Sequence, residues 1–184
     1  MRDVGPCRLE MAARQTPYEA LFESIVYQQL TARAAATIHK RVLKLFGARR
    51  CPRAALVAEA TPEFLRTAGL SRSKAEALRD LARHALDGSI PTRAKAEKLG
   101  DEEIVELLTS VRGVGRWTVE MFLIFTLGRP DVLPLDDYGV RKGYARTFGR
   151  SVLPKPKELA VHGEKWRPYR TVASWYLWRA NDAN

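Results

Sequence analysis

The sequence predicts an all-α fold. Three observations carry that expectation. Apolar residues recur at helical spacing along nearly the whole chain, Thr and Ser caps and glycine stops punctuate them, and no run alternates with the period of two of a half-buried strand. Thr16-Pro17-Tyr18-Glu19 has the spacing of a capping box with proline at the first helical position, and Leu21, Phe22, Ile25 and Val26 continue a helix from it. Thr31 caps a second, with Ala34, Ile38, Val42 and Leu45 on its apolar face and Gly47 as its stop, so Gln28-Gln29-Leu30-Thr31 is a helix corner. Thr61-Pro62-Glu63 opens a short helix closed by Gly69, and Ser73 starts one carrying Ala75, Leu78, Leu81, Ala82 and Leu86 before Gly88.

Asp101 precedes Ile104, Val105, Leu107 and Leu108, after which Val111-Arg112-Gly113-Val114-Gly115 interrupts the helical pattern with two glycines. Helix resumes through Trp117, Met121, Phe122, Ile124 and Phe125 to Gly128. Pro130 and Pro134 make residues 129–135 extended, and Asp136 or Asp137 starts the next helix. Lys155, Pro156 and Lys157 break the pattern again, and Pro168 begins a last helix bearing Val172, Trp175, Tyr176 and Trp178.

The 184 residues bound the chain to one compact unit with two lobes, and 46% hydrophobic residues without a low-complexity tract exclude a disordered chain. Thirty-one Lys and Arg against 21 Asp and Glu give a formal charge of +10, which suits a polyanion and puts nucleic acid ahead of an acidic membrane. Two cysteines, Cys7 and Cys51, are too few for a disulfide scaffold or a four-thiolate cluster. With no signal-peptide pattern and no apolar run of membrane length, the expected location is cytoplasmic, at the nucleoid, with no membrane partner. His39, His84 and His162 lack a zinc-ligand spacing, so no metal site is expected from them.

The Val111–Gly115 pentapeptide reads in two ways. It is an ordinary helix corner with glycine caps, or a hairpin whose glycines let exposed amides and a helix N-terminus approach phosphate oxygens, with Arg116 adding charge. The sequence that follows, GVGRWTVEMFLIFTLGRPDVLPLDDYGVRKG from Gly113 to Gly143, resembles the helix-hairpin-helix DNA glycosylases. It is most similar to the bacterial 3-methyladenine DNA glycosylase II branch. In that family a Gly/Pro-rich loop and an aspartate follow the hairpin; here Asp137 stands 22 residues after Gly115. The similarity runs from about Pro17 to Trp178.

The resemblance implies a two-lobed glycosylase fold with a substrate cleft between lobes, a single domain over 1–184, and absence of the α/β domain with which larger relatives begin. It makes Asp137 of Leu135-Asp136-Asp137-Tyr138 the catalytic carboxylate and Asp136 a capping or supporting residue. Breaking an N-glycosidic bond develops oxocarbenium character that an ionised carboxylate stabilises. Read locally, both aspartates are helix N-caps. Trp117, Tyr138 and Trp178 match aromatic positions of the pocket that receives the everted base, although tryptophans at helical spacing also read as core, and Trp175 does so here. Met121 and Gly139 depart from the family, which has tyrosine and a bulkier aliphatic residue there.

Leu30 matches the intercalating wedge, its alternative being a core leucine at a helix end. Gln29, Gly113, Val114, Gly115, Arg116 and Thr118 complete the expected DNA contacts, and carbonyls from Thr109 to Val114 are candidates for a monovalent cation, no cofactor being required. Bifunctional relatives, which also nick the strand, place a Schiff-base lysine where Trp117 stands. The expected activity is therefore monofunctional: excision of 3-methyladenine- and 7-methylguanine-type purines from damaged duplex DNA by a monomer. Two alternatives are a non-catalytic helix-hairpin-helix DNA-binding module and a bifunctional glycosylase/lyase for oxidised bases.

Overall fold

The computed structural model describes residues 4–12 and 15–182, in which every regular element is helical: eleven α-helices and one short 3-10 turn. The chain divides into two compact units, Arg14–Phe122 and a second made of Met1–Ala13 with Leu123–Asn184.

The first unit opens with α1 (Pro17–Tyr27), started by a complete capping box: Thr16 Oγ1 accepts from Glu19 N, and Thr16 N donates to the Glu19 carboxylate. Thr31, Thr61 and Thr92 likewise accept from the third helical amide and start α2 (Ala32–Leu45), α4 (Pro62–Arg66) and α6 (Arg93–Ala96). The start of α5 (Arg72–Leu86) corrects the sequence reading by two residues: Ser71, not Ser73, accepts from Lys74 N. Ser73 instead lies in the first turn with its hydroxyl 3.1 Å from that of Ser71. Two short helices absent from the sequence reading join the expected ones: α3 (Ala54–Glu59), which has no side-chain cap, and α6, whose cap Thr92 the sequence does contain.

Helix α5 is central to this unit and packs against α1, α3 and α4. Its buried stripe of Ala75, Leu78, Leu81 and Ala82 accompanies buried Leu21, Phe22, Ile25 and Val26 on α1, which packs against it; Ile104, Val105 and Leu108 of α7 (Asp101–Leu108) are buried as well. Each large side chain there contributes about 1.5–3 kcal/mol through burial.

In the second unit α9 (Tyr138–Thr147) packs along α11 (Arg170–Ala180), enclosing a cluster of Leu133, Val140, Tyr144, Leu159 and Leu177. The break read at Lys155-Pro156-Lys157 is in fact a helix start. Pro156 occupies the first position of α10 (Pro156–Gly163), where its missing N–H costs nothing, and Lys155 N donates to Glu158 Oε2 at 2.8 Å. The last helix begins at Arg170 rather than Pro168.

The segment before α9 is free of helix, as its prolines require, but it is not extended throughout: it turns at residues 130–131 and again at 135–136, where Asp137 N donates to Pro134 O, and α11 satisfies its polar groups. Val132 N donates to Thr171 Oγ1, the Thr171 hydroxyl donates to Arg129 O, and the Arg170 guanidinium holds the Asp131 carboxylate. This tether delivers residues 136–139 to the start of α9 in a fixed path. Among the described residues, no helix is long and apolar enough to cross a membrane.

Candidate functional site

The hairpin Val111–Gly115 joins α7 to α8 (Arg116–Phe125). Gly113 has φ +77, and a Cβ there would lie 3.1 Å from Ala77 Cβ on α5, so both backbone conformation and space require glycine. Val111 and Val114 turn their side chains inward, leaving Arg112, Gly113, Gly115 and Arg116 on the surface. Any contact from Val114 to a partner is therefore made by its backbone.

Acidic residues that carried no signal in the sequence pin this loop. Asp80 Oδ2 accepts from Arg112 N at 2.8 Å, Glu76 pairs with the Arg112 guanidinium at 2.6 Å, and Glu102 takes both terminal nitrogens of Arg116. The Arg116 guanidinium holds the Glu102 carboxyl below the usual carboxylate range. Arg116 is thus an element of loop structure before it is a donor to any ligand. Of the carbonyls expected to cradle a cation, Val111 O accepts from Val114 N and Gly113 O from the Gln28 side chain.

Thr118 is 3% exposed, and its hydroxyl accepts from Gln28 Nε2 at 3.4 Å, so a contact from Thr118 to DNA would be made by its backbone. Leu30, by contrast, is 39% exposed and not a core leucine; Gln29 beside it has φ +55. The same Gln28 amide donates to Gly113 O at 2.9 Å, which ties the Leu30 corner to the hairpin. On α8, Trp117 is 44% exposed and Met121 half-buried.

In the other unit Asp137 is the N-cap of α9, so the capping role falls to it rather than to the exposed Asp136. Its Oδ1 accepts from Val140 N at 2.7 Å and from Trp178 Nε1 at 2.8 Å. The cap and the candidate catalytic residue are therefore one carboxylate, oriented by two N–H donors from different helices. Gly139 makes this approach possible: a Cβ there would sit 2.9 Å from Trp178 Cδ1 and 3.1 Å from Asp137 Oδ1. The departure from the family noted at this position thus has a steric reason. Asn181 Nδ2 donates to Gly139 O and holds the same turn from α11.

Trp178 stacks on Phe125, ring centroids 5.8 Å apart. Both line a cavity of about 750 Å³ with Trp175, Arg179 and residues of the N-terminal segment, including Val4, Arg8 and Leu9. Phe125 and Trp175 were not among the residues expected here, and Trp175, read as core, is a cavity wall. Tyr138, next to the carboxylate, is 64% exposed. The electron-rich rings of Phe125, Trp175 and Trp178 suit a flat, electron-poor ligand, and Trp178 links this cavity to the Asp137 carboxylate, which is not among its walls.

A family model described as HhH-GPD superfamily base excision DNA repair protein matches residues 22–168. The chain belongs to this superfamily. It is 38% identical over 168 residues to DNA-3-methyladenine glycosylase 1 of Schizosaccharomyces pombe, covering 91% of this chain and 74% of that one. Among solved structures it is similar to the Schizosaccharomyces pombe 3-methyladenine DNA glycosylase in complex with abasic DNA, with TM-score 0.84 and 36% identity over 98% of this HhH-GPD chain and 86% of the other. The DNA-3-methyladenine glycosidase of Bacillus halodurans superposes with TM-score 0.86 at 36% identity, covering 97% and 81%. The all-helical fold is that of these glycosylases.

Proposed function

We propose that this HhH-GPD protein is a monofunctional DNA glycosylase that releases alkylated purines of the 3-methyladenine and 7-methylguanine type from duplex DNA. It acts as a monomer in the cytoplasm, as a single glycosylase domain. The observation that carries this reading is the seating of Asp137, a carboxylate clamped by Trp178 and the α9 amide in a chain similar to named 3-methyladenine DNA glycosylases. The abasic DNA in the related Schizosaccharomyces pombe complex is what base removal leaves behind.

In this mechanism the nucleotide is everted and the base stacks on aromatic side chains, the pocket residues assigned being Trp117, Met121, Tyr138 and Trp178. Alkylation places positive charge on the purine, so the base departs as a neutral molecule with the electron pair of the N-glycosidic bond. The sugar is left as an oxocarbenium ion, which the Asp137 carboxylate stabilises while water adds at C1′ and gives up a proton to that carboxylate. The Gly113, Val114 and Gly115 backbone with the start of α8 binds phosphate, Gln29 and Arg116 add polar contacts, and Leu30 fills the vacated stack. A monovalent cation on the Thr109–Val114 carbonyls is compatible with this role.

Incubation with methylated duplex DNA tests the reading. Free 3-methyladenine or 7-methylguanine is expected, with abasic sites left in unbroken strands. Because Trp117 occupies the lysine position of the strand-nicking relatives, borohydride is expected to trap no covalent protein–DNA adduct. No base release, or a trapped adduct, overturns the assignment. Trp178→Phe keeps a ring against Phe125 and removes the donor to Asp137. Its single-turnover base release is expected to fall about tenfold with thermal stability little changed, the loss of one hydrogen bond to a charged group.

A further inference from the structure

The corner that carries Leu30 is held in a conformation its own sequence does not favour. Helix α1 ends at Tyr27, leaving carbonyls without intrahelical partners, and two residues later Gln29 has φ +55, the left-handed region that a non-glycine residue enters only at a cost. Such a conformation persists where surrounding contacts over-determine it, and it presents an exposed apolar side chain at the next residue.

Two contacts fix the corner. The Gln28 side chain reaches the hairpin, as described above. The other comes from α5: Lys74 Nζ donates to Val26 O at 2.8 Å and to Gln28 O at 2.6 Å, capping the end of α1 and gripping the residue before Gln29. This lysine is half-buried, and desolvation holds its ammonium below the ordinary lysine range. In a chain of net charge +10, a cation kept at that disadvantage and turned onto backbone carbonyls is not spent on phosphate.

We infer that Lys74 is a positioning residue for base eversion, setting the height and direction of the Leu30 wedge through the Val26 and Gln28 carbonyls. The inference rests on the wedge role assigned to Leu30 above. It makes the α1–α2 corner and the hairpin, joined through Gln28, one preorganised surface, so that eversion is not charged with ordering the wedge.

The test uses a duplex bearing 2-aminopurine beside an abasic analogue, whose fluorescence reports unstacking without any excision. Lys74→Met is expected to lower the eversion equilibrium about tenfold while DNA binding changes less than threefold. Lys74→Arg, which keeps donors on a longer planar head, falls between Lys74→Met and the parent. In a Leu30→Ala background, Lys74→Met adds less than twofold, because both act through one wedge. If Lys74→Met melts too low to assay, Lys74→Arg carries the same coupling test. Independent, multiplicative losses, or parental eversion in Lys74→Met beside an impaired Leu30→Ala, overturn the role of Lys74. Parental eversion in Leu30→Ala removes the wedge reading itself, and this inference with it.

Discussion

Asp137→Asn is expected to lower single-turnover base release about a thousandfold, the equivalent of about 4 kcal/mol of transition-state stabilisation. The substitution isolates charge from geometry. Asparagine keeps an oxygen at the Oδ1 position, so Val140 N and Trp178 Nε1 retain their acceptor, and asparagine is as good an N-cap as aspartate. Thermal stability and affinity for undamaged duplex are therefore expected to stay near parental values. What is lost, in the proposed mechanism, is the negative charge facing a developing oxocarbenium ion. Excision within tenfold of the parent would remove Asp137 from the chemistry and leave it an N-cap.

Gly143→Ala is expected to destabilise the protein by about 3 kcal/mol, with Tm falling by about 10 °C. In an exposed helix interior the same change stabilises by up to about 1 kcal/mol, so the sign is the diagnostic. Gly143 lies inside α9 where a Cβ would overlap the Leu177 carbonyl of α11. Relief would have to come from backbone, because the obstructing atom is not the end of a flexible side chain. The two helices carry Asp137 and Trp178 respectively, so their spacing also sets the hydrogen bond between these residues. A melting temperature unchanged or raised would contradict the close approach. The measurement is a thermal melt of both proteins under the same conditions.

Local signals were legible in the sequence, and contacts across distance were not. Thr16 and Glu19 sit three residues apart and form the capping box they spell out. Pro156 misled because proline both ends a helix and favours its first turn, and the flanking Lys155 and Lys157 offered no cap to decide between them. Ser71 and Ser73 are equivalent as letters, and it is Ser71 whose hydroxyl accepts from Lys74 N, with Ser73 left in the first turn. Asp137 was legible as a cap from its neighbours and as a candidate site from the family pattern; that the same oxygen also accepts from Trp178, 41 residues away, was not. Thr118 reads as a polar residue after a phosphate-binding hairpin, yet it faces inward because Gln28 comes from α1 to meet it. Lys74 carried no signal at all, since a lysine in the first turn of an amphipathic helix reads as solvated surface.

The most direct measurement of the central claim needs no turnover. Duplexes carrying a single pyrrolidine abasic nucleotide, whose ring nitrogen is cationic, are compared for affinity with duplexes carrying its neutral tetrahydrofuran counterpart. A carboxylate placed to stabilise an oxocarbenium ion binds the cationic ring more tightly, by tenfold or more, and Asp137→Asn abolishes that preference. Equal affinity of the parent protein for both rings, or a preference surviving in Asp137→Asn, would mean that Asp137 does not face the sugar.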